Sequence, residues 1–154
     1  MSSSALHPKS AHTRSRASAS TLALVAGGLL LLIGALSLIP GITTDYGTLA
    51  FAANSSALFL GIFQTSVLLS VIYALVGATG LLLSRLPIEA RAYLVGAGAF
   101  FLVLWIYGLF ANAEMVANIF STNAATSWAH LVLGVALAAA GAVATEDAEE
   151  VRNT

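Results

Sequence analysis

Four long apolar blocks, separated by polar or turn-forming segments, set the pattern along this chain. They cover residues 21–39 (TLALVAGGLLLLIGALSLI), 57–84, 92–111 and 128–144. Such blocks are too long for strands and too apolar for a helix with one face in water. The first block has nineteen residues; at about 1.5 Å of rise each, it nearly crosses a hydrocarbon core of about 30 Å. Pro40-Gly41 closes it. The second block exceeds one span, so it tilts or starts at the interface near Phe59, leaving Gln64 shallow or facing protein. Pro87, in the tight connection 85–91 (RLPIEAR), suits a helix start. The pattern predicts an all-α integral membrane four-helix bundle, with transmembrane helices at about 21–40, 60–84, 92–111 and 127–144. It predicts a disordered cytoplasmic tail over residues 1–20, the transmembrane domain over 21–144 and an acidic cytoplasmic tail over 145–154.

Within the blocks, small and polar residues recur at helical spacing. Ser66, Ser70, Tyr73, Gly77, Gly80 and Ser84 step by four and three. Gly27, Gly34 and Gly41 recur at seven, and Ser127, His130, Gly134, Ala138 and Gly141 at three or four. Lipid supplies no hydrophobic drive between helices, so small residues collect where backbones approach. A seven-residue repeat keeps one seam facing a partner. The three seams read as one bundle interior. The third block has Gly96 and Gly98 but a bulky middle, Phe100 to Trp105, and is expected to have more lipid contact.

The connections are less regular. Residues 41–56 read as a loop with Asp45 as its one charge, and 112–127 as a second loop carrying Glu114. The stretch MVANIF within it suits a short surface turn of helix. Both loop acids read as solvated surface. Glu89 is spaced to face Arg85 or Arg91 across a turn.

Charge gives the blocks an orientation. Lys9, Arg14, Arg16, Arg85, Arg91 and Arg152 all lie in the tails or in the middle connection. The other two loops contain no Lys or Arg, which is the positive-inside pattern. It predicts both termini in the cytoplasm, 41–56 and 112–127 outside, and Tyr46, Trp105, Tyr107 and Trp128 near the outer interface. The start of the chain has features of a signal peptide, but its long n-region, long apolar run and lack of an Ala-x-Ala site favour a retained helix.

Composition narrows the chemistry. The chain of 154 residues is 58% hydrophobic and 8% charged, with a net charge of −1 and no cysteine. Disulfides and thiolate metal sites are excluded, and neither tail is basic enough to argue for nucleic acid. Asn54-Ser55-Ser56 fits a glycosylation pattern without a secretory context to support it. His7 and His12 have no acidic or thiol companions, and no phosphate loop, HExxH, GxSxG or paired carboxylates occur. No catalytic, metal or cofactor residue is assigned, and no cofactor is expected. No block carries Asp, Glu, Lys or Arg in its hydrocarbon stretch, which argues against charge-coupled transport.

The candidate interior polar positions are Ser66, Ser70, Tyr73, Trp128 and His130. His130 is expected to hydrogen-bond Ser127, a loop carbonyl or water. Tyr73 needs a hydroxyl partner, either Ser70 or, if the second and fourth helices meet, His130.

Four stretches carry a family resemblance: LIPGITTDYG, GIFQTSVLLSVIYALVGATGLL, ARAYLVG and NAATSWAHLVLGVALAAAG. Together, over about residues 21–144, they resemble the family called domain of unknown function 4383. Its members are small bacterial membrane proteins, common in actinobacteria and usually predicted with four spans. The family often carries two histidines in its second helix; here those places hold Leu69 and Tyr73, with Ser70 between them. Entering the fourth helix, Asn123, Ala125, Trp128 and His130 keep the family pattern, whereas its Asp and following Asn are Thr126 and Ser127. The resemblance implies topology and a bacterial plasma membrane location, and leaves activity open.

Two functions remain. One is a non-enzymatic accessory or envelope component, binding the lipid bilayer and a membrane protein partner or a second copy, with the Phe-rich third helix as the contact. The alternative is a small transporter, channel or lipophilic-ligand binder, which predicts a water-accessible cavity around Ser66, Ser70, Tyr73 and His130.

Overall fold

A computed structural model describes residues 18–112, 114 and 116–144. His7, His12, most of the first tail and the acidic tail lie outside the described residues. The architecture is four helices: α1 (Ala19–Leu36), α2 (Val67–Leu83), α3 (Pro87–Asn112) and α4 (Ala124–Val143). α1, α3 and α4 are long and apolar enough to cross a membrane by length and composition; α2 is apolar too, at 17 residues.

Local chemistry explains the boundaries. Ser18 caps α1 by accepting from the Thr21 amide at 3.2 Å. Ser66 does the same for Leu69 of α2 at 3.3 Å, and Asn123 for Thr126 of α4 at 2.9 Å. Each satisfies an amide that the first helical turn leaves without a partner. The last helix therefore starts three residues before the expected 127. α3 begins at Pro87 instead of 92, so the polar connection is largely helical.

The second helix starts at Val67 and not near 60. Residues ahead of it form a small antiparallel sheet, which an all-α reading did not include: β1 (Thr43–Thr44), β2 (Leu58–Phe59) and β3 (Phe63–Gln64), in that order. Leu60 and Gly61 turn the β2–β3 hairpin with φ of 53° and 72°. That left-handed backbone cannot continue a helix. α1 likewise ends at Leu36; the Ser37 hydroxyl turns back onto the Gly34 carbonyl at 2.8 Å. Gly41 falls beyond it in a turn with φ of 91° and nothing packed against it, so it is not part of the glycine seam. In the MVANIF stretch, Val116–Phe120 form bends and turns, with no helix.

The seams do not meet in one interior. They build two separate hairpins, α1 on α2 and α3 on α4. A β-carbon on Gly34 would lie 2.6 Å from the Ser70 carbonyl oxygen, and one on Gly27 2.7 Å from that of Gly77. In the second hairpin, a β-carbon on Gly98 would lie 2.6 Å from the Ala138 amide nitrogen. Only glycine permits these backbone approaches. The third helix, expected to have more lipid contact, is instead the most buried of the three long helices. Gly98 and Gly108 pack on α4, and its bulky middle residue Phe101 is fully buried between the hairpins. α3 also packs on α1 and α2, whereas α1 and α4 barely touch.

Where α1 and α3 end and α2 and α4 begin, the connections are stitched into a polar cap. Ser121 Oγ donates to the Ala52 carbonyl at 2.6 Å and accepts from the Ser55 amide at 3.1 Å. Asn123 Nδ2 reaches the Ile62 carbonyl at 2.9 Å, and Thr126 Oγ1 that of Gln64 at 2.9 Å. Ser66 Oγ donates to the Phe120 carbonyl at 3.0 Å. At the opposite end, Glu89 is exposed and Arg91 Nε donates to the Gly141 carbonyl at 3.1 Å, where α4 nears its end.

Candidate functional site

The thin contact between α1 and α4 leaves a partly open groove of about 490 Å³ beneath the cap. Ile33 and Ser37 of α1, Leu69 and Tyr73 of α2, and Ala129 and Leu133 of α4 form its walls; Phe59, Phe63 and Trp128 stand at its cap end. Its lining is overwhelmingly apolar. This is the size and character of a small-molecule pocket. It is not the water-accessible cavity expected around Ser66, Ser70, Tyr73 and His130. Of those four, only Tyr73 lines it.

The polar atoms at its edge are engaged within the chain. Ser37 donates to Ser70 Oγ at 2.7 Å, Ser70 donates to the Ser66 carbonyl at 2.9 Å, and the Thr65 hydroxyl lies 3.3 Å from Ser70 Oγ. Thr43 Oγ1 donates to the Ser37 carbonyl at 2.7 Å. This buried hydroxyl chain fixes the end of α1 to the start of α2. Gln64 Nε2 is held by the Ser55 carbonyl at 2.5 Å.

The candidate positions separate into three kinds. Ser66 and Ser70 are buried and serve the cap and the hydroxyl chain. Trp128 is not interior. It is 56% exposed at the groove mouth, with its ring 6.3 Å from that of Trp105. It follows Ser127, which faces α3, by one residue, and one step turns a helical side chain about 100° away from such a contact.

Tyr73 and His130 meet at the centre. Their ring centroids are 6.0 Å apart, and both pack on Phe101, at 5.3 Å and 5.7 Å. α2 and α4 thus reach each other through side chains. Among the described residues, Tyr73 bonds neither Ser70 nor His130, and His130 bonds neither Ser127 nor a loop carbonyl. Ser70 is occupied as above, and the Tyr73 hydroxyl bonds no described residue. His130 is fully buried with both ring nitrogens unpartnered. Ser127, its expected partner, donates to the Asn123 carbonyl at 3.0 Å and accepts from Asn112 Nδ2 at 2.9 Å. Asn112 was missed in the sequence because it looked like a loop residue; it is the last residue of α3.

No group of three or more His, Cys, Asp or Glu side chains that could hold a metal occurs among the described residues. The arrangement offers an apolar binding surface with one buried phenol and lacks a nucleophile–base pair.

A search of the curated proteins and a search of the solved structures return no match. Residues 20–143 match the family model described as "Domain of unknown function (DUF4383)", and the chain belongs to that family.

Proposed function

We propose that this is a non-enzymatic, multi-pass membrane protein of the bacterial plasma membrane that holds a lipophilic molecule in the groove between α1, α2 and α4. All four helices span, and both termini face the cytoplasm. The 17 residues of α2 amount to about 25 Å of helix, within the range of short spans. The distribution of the six basic residues supports the orientation. The observation that carries the binding role is the groove itself: three helices wall about 490 Å³ of apolar space that side chains do not fill. Its lack of charge disfavours an ion path. A membrane protein partner or a second copy would use the exposed stripe Val103, Ile106 and Phe110 of α3.

The test is purification from the native membrane in mild detergent, with native mass spectrometry of the intact particle. A small lipophilic molecule retained at fixed stoichiometry, and lost when Ala129→Trp fills the groove, is the expected result. A bare chain, or a bound protein that survives that substitution with no small molecule present, overturns the binding role.

A further inference from the structure

We infer that the groove accepts a quinone with an alkyl or prenyl tail, one ring carbonyl taking a hydrogen bond from the Tyr73 hydroxyl. This deepens the binding role proposed above and rests on it. Tyr73 is 7% exposed, lines the groove, and has a hydroxyl that bonds no described residue. A phenol so placed is completed by an acceptor arriving with the ligand.

Depth selects the ligand class. Tyr73 lies six residues into α2 from Val67, its Cα about 9 Å of helix below the cap and its side chain leaning back toward the aromatic rings there. A phospholipid is anchored at the interface by its headgroup and glycerol esters. At the level of Tyr73 its chain offers only CH₂ groups, which cannot accept a hydrogen bond. A quinone carries no charged head, so its ring enters apolar surroundings and brings two carbonyl oxygens with it.

The walls agree. Phe59, Phe63 and Trp128 offer aromatic surface for a flat ring in offset or edge contact. The edge offers no cation for a phosphate or carboxylate, since residues 41–84 and 112–144 contain no Lys or Arg. Ser37, Gln64, Thr65 and Thr126, its polar members beside Tyr73, are bonded within the chain.

The experiment titrates decylubiquinone into the full-length chain in a neutral detergent and counts the 1:1 adduct by native mass spectrometry. Thermal melting confirms that each variant is folded. Saturable binding is expected, weakened about 3- to 10-fold by Tyr73→Phe, the effect of one neutral hydrogen bond. Leu133→Trp is expected to abolish it. Unchanged affinity in Tyr73→Phe overturns the assigned donor. Displacement of decylubiquinone by equimolar oleate or phosphatidylglycerol overturns the quinone assignment while leaving a lipophilic site standing. Absence of a saturable adduct with any of the three overturns both readings.

Discussion

At the scale of single residues, the centre of the molecule is an aromatic cluster with two polar members. His130 stands on a three-and-four spacing of small residues, so its interior position was legible from the sequence. Its lack of a partner was not. That depends on Asn112 taking Ser127, a relation between the end of one helix and the start of the next. The same holds for Tyr73: Ser70, one of its two expected partners, is claimed by Ser37, 33 positions away. An imidazole buried with two unsatisfied nitrogens carries a desolvation penalty of about 1–3 kcal/mol that a shape-matched apolar group avoids. His130→Leu is therefore expected to raise stability by about 1–2 kcal/mol, measured as a higher melting temperature in detergent. A lower melting temperature would mean that the imidazole is partnered in the membrane.

At the scale of elements, the number, order and apolar character of the helices follow from block length. Their pairing does not. Glycine spacing marks a helix that approaches another closely, but not which one. The second and fourth seams looked alike, yet one faces α1 and the other α3. In α3, Gly98 is outweighed in the sequence by the bulky run from Phe100 to Trp105, which suggests a lipid face, and Gly108 stands outside any repeat. A helix has room for both, with Phe101 filling the space between hairpins while the glycines seat α4. Packing distance separates glycines that matter from those that do not. Gly34→Ala brings a β-carbon to 2.6 Å from backbone atoms of Ser70 and Ala74, so α1 and α2 must move apart. Overpacking of this kind costs about 1–3 kcal/mol. Gly96→Ala meets nothing within 4 Å and gains about 0.5–1 kcal/mol of helix propensity. Detergent melts of the two variants should shift in opposite directions. Equal shifts would refute the assigned pairing.

At the scale of the whole molecule, asymmetry between its two ends is the main feature. One end carries the sheet and the interlocked loops; among the described residues, the other has the short connection between α2 and α3. The cap escaped sequence reading because its bonds join positions up to 69 residues apart, as between Ser121 and Ala52. Its composition still hinted at it, being rich in Ser, Thr and Asn and devoid of Lys and Arg. A segment without cations translocates easily, whereas by the same rule the connection bearing Arg85 and Arg91 would be held back. The polar cap, the groove mouth and Trp128 would then face outward, and a ligand would enter from the outer leaflet. The absence of cysteine makes this testable with single labels. Gly47, exposed in the cap with nothing packed on it, and Arg85, exposed at the opposite end, are suited to single cysteines. In intact cells a membrane-impermeant maleimide should label Gly47→Cys and spare Arg85→Cys until the membrane is permeabilised. The reverse pattern would invert the topology and put the groove mouth in the inner leaflet. Labelling of both in intact cells would mean that α2 does not cross.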